Sequence, residues 1–173
     1  TINSDANFGW AVRCDKGGYR IIVGAPDTED LDEEANTIPA AGRSYVFSRS
    51  YEIILSLGDK TVFGFDTLRN VVAVTIDSQL LTELVDYDIQ NNAVVLTNLP
   101  RNGAKIRVDT NFFNIVQILP CPSVVNLGRF GASVDIAPDN KSLAIGSPGY
   151  RDADYYNGQV YRYANKGLFY GTV

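Results

Sequence analysis

Short apolar runs separated by polar turns recur along the whole chain. Residues 21–26 (IIVGAP) and 143–148 (LAIGSP) are nearly continuous stretches of apolar and small residues that end in proline. A strand covered on both faces has this pattern, and proline ends its ladder because it has no N–H to donate. Elsewhere apolar and polar residues alternate, as in a half-buried strand. With many glycines and tyrosines in addition, the pattern predicts an all-β chain.

Both apolar runs belong to a segment that the chain contains twice. Residues 7–26 (NFGWAVRCDKGGYRIIVGAP) and 129–148 (RFGASVDIAPDNKSLAIGSP) align without a gap at an offset of 122 positions. The turns DKGG and PDNK carry residues that tolerate positive φ or cap their own backbone. Each copy therefore predicts two strands joined by a tight turn, then a polar loop and a third strand.

Four strands are predicted for each copy. Residues 113–119 and 168–173 are the fourth strands, and the first three are residues 8–14, 20–25 and 43–47 in one copy and 130–136, 142–147 and 159–163 in the other. Four short antiparallel strands make a propeller blade, which needs neighbours because it cannot bury both faces alone. The fold prediction is two four-stranded antiparallel propeller blades.

The segment between the third and fourth strands of the first copy predicts a separate small all-β domain. Residues 71–81, 85–100 and 101–108 alternate apolar and polar positions, with turn signals at Asn91-Asn92 and Asn102-Gly103. An insertion at a blade edge costs little, because loop-closure entropy grows slowly with length. The predicted domains are 1–50 with 112–119 for the first blade, 51–111 for the insert and 120–173 for the second blade.

The repeat resembles the FG-GAP family, the blades of integrin α-subunit propellers and their bacterial and viral relatives. The resemblance implies one ring of several blades, and two blades do not close a ring of roughly four to eight. Because the chain begins at Thr1 and lacks Met, we expect a processed chain or an excerpt of a longer one, unless several chains complete a ring. The matching residues are Phe8, Gly9, Val12, Val23, Gly24, Ala25, Pro26, Gly42, Tyr45, Val46, Phe47, Phe130, Gly131, Ser133, Val134, Ile145, Gly146, Pro148, Gly158, Val160 and Tyr161.

The same resemblance raises the question of calcium, because FG-GAP blades often carry a calcium loop before the second strand. The equivalent turns here offer Asp15 in the first copy and Asp139 with Asn140 in the second. These are too few oxygens for the six to eight ligands of Ca²⁺. We expect no cofactor and no metal; calcium is the alternative that the sequence does not favour.

The insert is similar to a small β module of bacteriophage tail-fibre and other virion proteins. The similarity lies in residues 74–77 (VTID), Asp86-Tyr87, 94–96, 100–103 and 106–108, with Ser78 where that module usually has Gly. It implies an architectural role, in which the module decorates or links the repeated units of adhesive fibres.

Charge and composition exclude several classes of function. The formal net charge is −5 and the pI is about 4.7, which argues against nucleic acid as a partner because that affinity rests on clustered Lys and Arg. The sequence contains no run of about 18 apolar residues, so it does not predict membrane insertion. Cys14 and Cys121 are expected to be small buried apolar residues; a bridge between adjacent repeats is the alternative.

Candidate catalytic residues are lacking. The chain has no His, which removes Ser-His-Asp and Cys-His nucleophiles and the commonest metal ligand. The paired carboxylates Asp86 with Asp88 and Asp152 with Asp154 fall on exposed strand faces, where solvation makes them poor candidates for acid–base chemistry. We therefore predict no enzyme and no catalytic residues.

Two loops are candidate interaction surfaces. An acidic run, DTEDLDEE, follows the first GAP motif, and a Tyr-rich and Arg-containing stretch follows the second. Loops on a rigid scaffold carry binding surfaces, and Tyr with Arg is typical of binding hot spots. Ordinary solvation and blade packing are the alternatives. The candidate residues are Asp27, Glu29, Asp30, Asp32, Glu33, Glu34, Tyr150, Arg151, Tyr155 and Tyr156.

The function prediction is a non-enzymatic structural or adhesive module of a larger assembly. The first choice is a phage virion protein of a tail, baseplate or fibre. The alternative is an integrin-like or bacterial surface adhesin that binds protein or glycan ligands, and a glycan hydrolase using loop carboxylates is a third class. Expected partners are other virion or surface subunits, further copies of the chain, and a glycan or receptor. The expected location is the virion or the cell surface.

Overall fold

The protein is all-β. A computed structural model describes residues 6–31, 34–64, 71–91, 93–152, 155–167 and 169–172, and these contain strands but no helix. Among them, accordingly, no helix is present that could cross a membrane. The chain divides into two compact units, Thr1–Ser48 with Asn114–Val173 and Arg49–Phe113. Each unit has its own buried core.

The strands are short except for two that contain the unit boundaries. In chain order they are β1 (Ala11–Cys14), β2 (Arg20–Ala25), β3 (Asp30–Leu31), β4 (Thr37–Ile38), β5 (Arg43–Leu55), β6 (Val62–Gly64), β7 (Val71–Ile76), β8 (Gln79–Leu80), β9 (Tyr87–Gln90), β10 (Ala93–Leu96), β11 (Lys105–Pro120), β12 (Ser133–Ile136), β13 (Ser142–Ser147), β14 (Arg151–Asp152), β15 (Tyr155–Tyr156), β16 (Gln159–Asn165) and β17 (Tyr170–Thr172).

In the first unit the two sequence copies have the same strand pairing. The first copy has the strand order β1-β2-β5-β11 and the second the order β12-β13-β16-β17. Val12 pairs with Val23 across β1 and β2, and Val134 pairs with Ile145 across β12 and β13. Every partner pair of β1 and β2 recurs 122 positions later. The repeat in sequence is therefore a repeat in structure.

The turns of the two copies also match. Gly9 and Gly131 both have φ of 93°, a conformation that favours glycine. Their N–H groups donate to the carbonyl oxygens of Gly24 and Gly146, each at 3.0 Å. These bonds fix the entry of the chain into each sheet, which explains why Phe-Gly and Gly-small-Pro recur as a pair in the sequence.

The aromatic packing repeats as well. The ring of Phe8 meets Tyr45 edge to face at 5.2 Å, and the ring of Phe130 meets Tyr161 edge to face at 5.4 Å. Such offset aromatic pairs stabilise a core beyond the area they bury. The Phe of each motif is thus anchored on the third strand of its own copy.

The core of the first unit lies between the two copies. Ile22 and Val46 of the first copy form one buried cluster with Phe130, Val134 and Ile145 of the second. Because side chains alternate across a strand, the first copy contributes the face opposite to that bearing Val12 and Val23. One face of the second copy therefore packs against the face of the first copy that bears Ile22 and Val46.

The second unit has a core built from residues of two sheets. The sheet β6-β10-β9 contributes residues of all three strands, and β7 and β11 contribute the rest. Its buried members are Phe63, Val74, Tyr87, Val94, Leu96, Ile106 and Val108. No member of this core belongs to the cluster of the first unit.

The turn after residues 74–77 keeps a tight geometry although Ser stands where the similar phage module has Gly. Asp77 and Ser78 have φ of 50° and 72°, the two positive values that a type I′ hairpin turn requires. The Asp77 carboxylate stabilises the turn, since it accepts the Lys105 N–H at 2.9 Å and the Arg101 guanidinium at 2.7 Å. The backbone N–H bond is the main reason that the pKa of Asp77 is lowered.

The strand predictions are confirmed with changes in extent. The first strand begins at Ala11 rather than residue 8, because the positive φ of Gly9 forms a turn there. β5 and β11 run much further than predicted, to 13 and 16 residues, so the chain passes between the units within strands rather than through linkers. The predicted insert, residues 51–111, falls inside the second unit. Whether the two copies are propeller blades remains a prediction.

The two cysteines are free thiols. Cys121 is buried as predicted, and burial raises the pKa of its thiol. The expectation of burial is wrong for Cys14, which is exposed. Its equivalent in the second copy, Ile136, is buried because that copy is packed against the first, whereas Cys14 lies on the face of the first copy opposite to the one that packs against the second.

Candidate functional site

The two predicted interaction segments lie in equivalent loops, between the second and third strands of each copy. The acidic loop contains the strand pair β3 and β4, with Asp30 opposite Ile38. The Tyr-rich loop contains β14 and β15, with Arg151 opposite Tyr156. In its described part, each loop therefore contains a two-stranded antiparallel sheet that is separate from the sheet of its copy.

Residues 127–130, here called the bridging segment, link the two loops. On one side the N–H groups of Leu127 and Arg129 donate to the carbonyl oxygens of Pro39 and Ala40 at 3.1 and 2.8 Å. On the other side, the Gly128 carbonyl oxygen accepts hydrogen bonds from the Gly149 N–H at 3.1 Å and from the Ser147 hydroxyl at 2.6 Å. The fold thus brings together two loops that are far apart in sequence.

Asp27 is tied to the bridging segment. Its carboxylate accepts a hydrogen bond from Arg129 Nε at 3.1 Å and another from the Asn7 side-chain amide. The Arg129 guanidinium also lies over the Trp10 ring, 5.4 Å from its centroid. Asp27 therefore joins the copies across 102 residues of sequence, a role that its place in an acidic run did not suggest.

Asp30 is paired in a similar way. Its carboxylate oxygens lie 3.0 and 3.4 Å from Nη2 and Nε of Arg43, and only 14% of its side chain is exposed. The hydrogen bond that the Arg43 guanidinium donates to Asp30 is the largest cause of the raised pKa of Arg43. This pair attaches the acidic loop to β5, so two residues of the predicted interaction surface, Asp27 and Asp30, make contacts within the fold.

The other acidic candidates differ from these two. Glu29 and Glu34 are exposed, and Glu34 accepts the side-chain amide of Asn36 at 3.4 Å. Asp32 and Glu33 lie outside the described residues. Within the described ranges, no three Asp, Glu, Cys or His side chains are grouped closely enough to hold a metal ion.

The turns considered for calcium use their carboxylates locally. Asp15 accepts the Tyr19 N–H at 2.8 Å, and Asp139 accepts the Lys141 N–H at 3.1 Å with the Lys141 ammonium 3.3 Å away. The backbone bond is the first cause of the lowered pKa of Asp139. Both carboxylates stabilise tight turns, and the expectation of no calcium there stays a prediction.

Of the candidate residues in the Tyr-rich loop, only Tyr150 has a described side chain, which is half-buried. Its carbonyl oxygen accepts the N–H groups of Asn157 and Gly158 at 3.2 and 3.3 Å, which closes the loop. For Arg151, Tyr155 and Tyr156 the backbone is described, but their side chains lie outside the described residues. The aromatic surface remains a prediction.

The candidate acid–base pair in the second unit is held by local bonds. Asp88 accepts the Gln90 amide at 2.8 Å and the Ile89 N–H at 2.7 Å, and these bonds lower its pKa. Asp86 accepts the Thr82 N–H at 2.8 Å. A general acid needs a raised pKa near neutrality, so Asp88 is shifted in the wrong direction for that role. Asp154 lies outside the described part of the chain.

An open groove in the second copy was not foreseen from the sequence. It has a volume of about 510 Å³, and its wall includes Ser133, Gly146, Pro148, Gly158 and Val160. Three of these residues, Gly146, Gly158 and Val160, occupy the positions of Gly24, Gly42 and Ser44, which face the Phe130-Gly131 backbone in the first copy. Only the pairing of the copies in space makes this correspondence visible.

Comparison with known proteins finds no match, either to a family model or to a curated protein.

Proposed function

We propose that this chain is a non-enzymatic structural module of a larger assembly, in which the two copies act as adjacent propeller blades. One observation carries the proposal: the Phe-Gly segment of the second copy packs against the glycines of the first. A Cβ on Gly24 would lie 1.9 Å from the Gly131 carbonyl oxygen. Repeats that stack in this way bury faces that no single repeat can bury, which is the physical basis of blade and solenoid architectures.

The assembly we propose first is a phage virion, in a tail, baseplate or fibre. The support is the resemblance of residues 58–108 to a virion module, together with a separate core for residues 49–113. A unit with its own core can be displayed by a repeat scaffold without disturbing it. In this role the second unit supplies spacing or decoration between repeated units.

Mass spectrometry of purified virions tests this function. Particles from cultures that carry the gene are purified through successive density gradients, and peptides of this chain are quantified against capsid proteins. We expect a constant ratio to capsid through every step, while an abundant host cytoplasmic protein, used as the control, declines. Loss of the chain together with that host protein would exclude a virion role.

The second candidate is a surface adhesin that binds protein or glycan ligands. The observation in its favour is that the acidic and Tyr-rich loops both adjoin the bridging segment, which gives two chemically different loops at one place. A glycan array probed with the wild-type chain and with the double variant Glu29→Gln, Glu34→Gln tests it. Binding that the double variant weakens supports adhesion, and an activity assay on any bound glycan separates adhesion from hydrolysis. No binding to any glycan on the array would exclude glycan adhesion.

A further inference from the structure

The contact between the two copies is a groove filled by a backbone segment. In the first copy, Gly24 and Gly42 form its floor: a Cβ on Gly24 would lie 1.9 Å from the Gly131 carbonyl oxygen, and a Cβ on Gly42 would lie 2.1 Å from that of Phe130. The Phe130 N–H donates to the Ala41 carbonyl at 3.0 Å. Phe130 is fully buried as a result. The groove thus fits a Phe-Gly backbone, because only glycine leaves room for it.

The second copy has the same groove without an occupant among the described residues. Gly146 and Gly158 stand at the positions of Gly24 and Gly42, and the groove has a volume of about 510 Å³. Val160, at its wall, is 72% exposed, whereas Ser44 at the equivalent position is fully buried. The carbonyl of Asn157, equivalent to that of Ala41, accepts no hydrogen bond from any described residue. The second copy therefore exposes an apolar surface at the place where the first copy is buried by the Phe-Gly segment.

The first copy carries the matching segment without a groove to enter. Phe8 is 41% exposed and Val12 is 46% exposed, whereas Phe130 and Val134 at the same positions are 0% and 7% exposed. The Phe8 N–H makes no backbone hydrogen bond within the described part of the chain. The two surfaces that meet in the internal contact are therefore each present a second time on the chain. The first copy carries an exposed Phe-Gly segment, and the second copy carries a groove without an occupant among the described residues.

We propose that a second copy of this chain docks head to tail, with its Phe8-Gly9 segment in the groove at Gly146, Gly158 and Val160. The proposal deepens the structural role given above, on which it rests, by naming the partner and the surface. The internal contact between the copies is the template: the chain carries both the groove and the segment, with glycines at Gly9, Gly146 and Gly158 in their equivalent places. A contact of two different surfaces is heterologous, so repetition gives a ring or an open fibre according to the rotation.

Sedimentation equilibrium of the full chain over a wide concentration range tests the association. Val160→Glu blocks the groove end and Val12→Glu blocks the segment end, because each would bury an unpaired charge. We expect each variant to weaken self-association about tenfold or more. Val85→Glu, at a valine of the second unit that is 65% exposed, is the matched control and should associate like the wild type.

Mixing the two blocked variants distinguishes a head-to-tail contact from a symmetric one. Val12→Glu keeps an intact groove and Val160→Glu keeps an intact segment, so an equimolar mixture should form one heterodimer and nothing larger. A mixture that remains monomeric overturns the proposal, as does a wild-type chain that stays monomeric at millimolar concentration. Near-ultraviolet circular dichroism checks that each variant is folded.

A photo-crosslinker locates the contact independently of these variants. With p-benzoylphenylalanine in place of Phe8, we expect intermolecular crosslinks to peptides that contain Gly146 or Val160. Crosslinks confined to other surfaces overturn the proposal. A monomeric chain that is enriched in virions would overturn this inference alone, whereas an associating chain absent from virions would overturn only the virion role.

Discussion

The Gly24 α-carbon lies against the Gly131 carbonyl oxygen, so closely that a Cβ at position 24 would stand 1.9 Å from that oxygen. This contact joins two copies of one repeat, and its equivalent at Gly146 differs. There a Cβ would first meet the hydroxyl oxygen of Ser133, a side-chain atom at 2.2 Å that can rotate away. A side chain is therefore excluded more strictly at Gly24 than at the equivalent Gly146.

Gly24→Ala should destabilise the protein much more than Gly146→Ala. Overpacking costs about 1–3 kcal/mol when neighbours can adjust and more when they cannot. Backbone at Gly131 cannot move without shifting β12, so we expect a loss of at least about 3 kcal/mol for Gly24→Ala and less than about 1.5 kcal/mol for Gly146→Ala. Urea unfolding midpoints measure both, and equal losses would contradict the asymmetry.

Removal of residues 49–113, with Ser48 joined to Asn114 through a short Gly-containing turn, should leave the first unit folded. The buried clusters of the two units share no residue. We expect one cooperative unfolding transition with a smaller m-value, because less surface is exposed on unfolding. An insoluble or non-cooperative product would mean that the first unit depends on the second.

Removal of Arg107 alone from its ion pair with Asp109 should destabilise the protein strongly. Asp109 is buried, with 3% of its side chain exposed, and lies 2.6 Å from Arg107, whose guanidinium also stands 4.2 Å from the Tyr51 ring centroid. Arg107→Met leaves a buried carboxylate uncompensated and should cost about 3–5 kcal/mol.

The double variant Arg107→Met, Asp109→Asn is the control for that experiment. It removes both charges, so it should recover a large part of the lost stability in denaturant unfolding. A double variant no more stable than Arg107→Met would show that the loss arises from packing against Tyr51 rather than from the buried charge.

Stability should fall at alkaline pH because buried tyrosines resist ionisation. Burial raises the pKa of Tyr161 to about 12, and it also raises the pKa values of Tyr87, Tyr163 and Tyr170. In the unfolded chain a tyrosine ionises near pH 10. A raised folded pKa contributes stability that is fully present below about pH 10 and is lost as the pH rises toward 12.

The free energy of unfolding in urea at pH 8, 10 and 11 measures this dependence. Tyr161→Phe removes one of the titrating groups, so its stability should decline less steeply between pH 10 and 11 than that of the wild type. If the two declines are parallel, Tyr161 is not a source of the alkaline sensitivity.

Chelation should leave thermal stability nearly unchanged. The Asp15 and Asp139 carboxylates bind backbone N–H groups of their own turns rather than pointing toward a common centre. We expect the melting temperature with EDTA to equal that with added CaCl₂. A large drop on chelation would place a cation elsewhere, and the acidic loop would then be the first region to search by Asp-to-Asn substitution.

Much of the local structure could be predicted from the sequence. Strand positions, the turns at Asn91 and at Asn102-Gly103, and the role of glycine beside another backbone depend on residues close together in the chain. The length of β5 and β11 could not be predicted in the same way. Polar residues after Phe47 look like the end of a strand, yet β5 continues to Leu55, with β11 as its neighbour in the sheet.

The candidate site was less predictable, for a similar reason. The acidic run that contains Asp27 and Asp30 predicted an interaction surface or a solvated loop, but Arg129 and Arg43 pair with these two residues through tertiary contacts. No local pattern marks Arg129 as the partner of a residue 102 positions away.

By itself the sequence determined the repeated strand–turn–strand unit, its register and the glycines that allow close approach, since these follow from side-chain alternation and backbone sterics within a few residues. Only the tertiary structure decided which faces are covered. Val12 and Val134 have the same residue type and the same strand position, yet one is exposed and the other buried. Burial depends on what lies opposite a side chain, and that is settled by how whole sheets pack rather than by the residue or its neighbours in sequence.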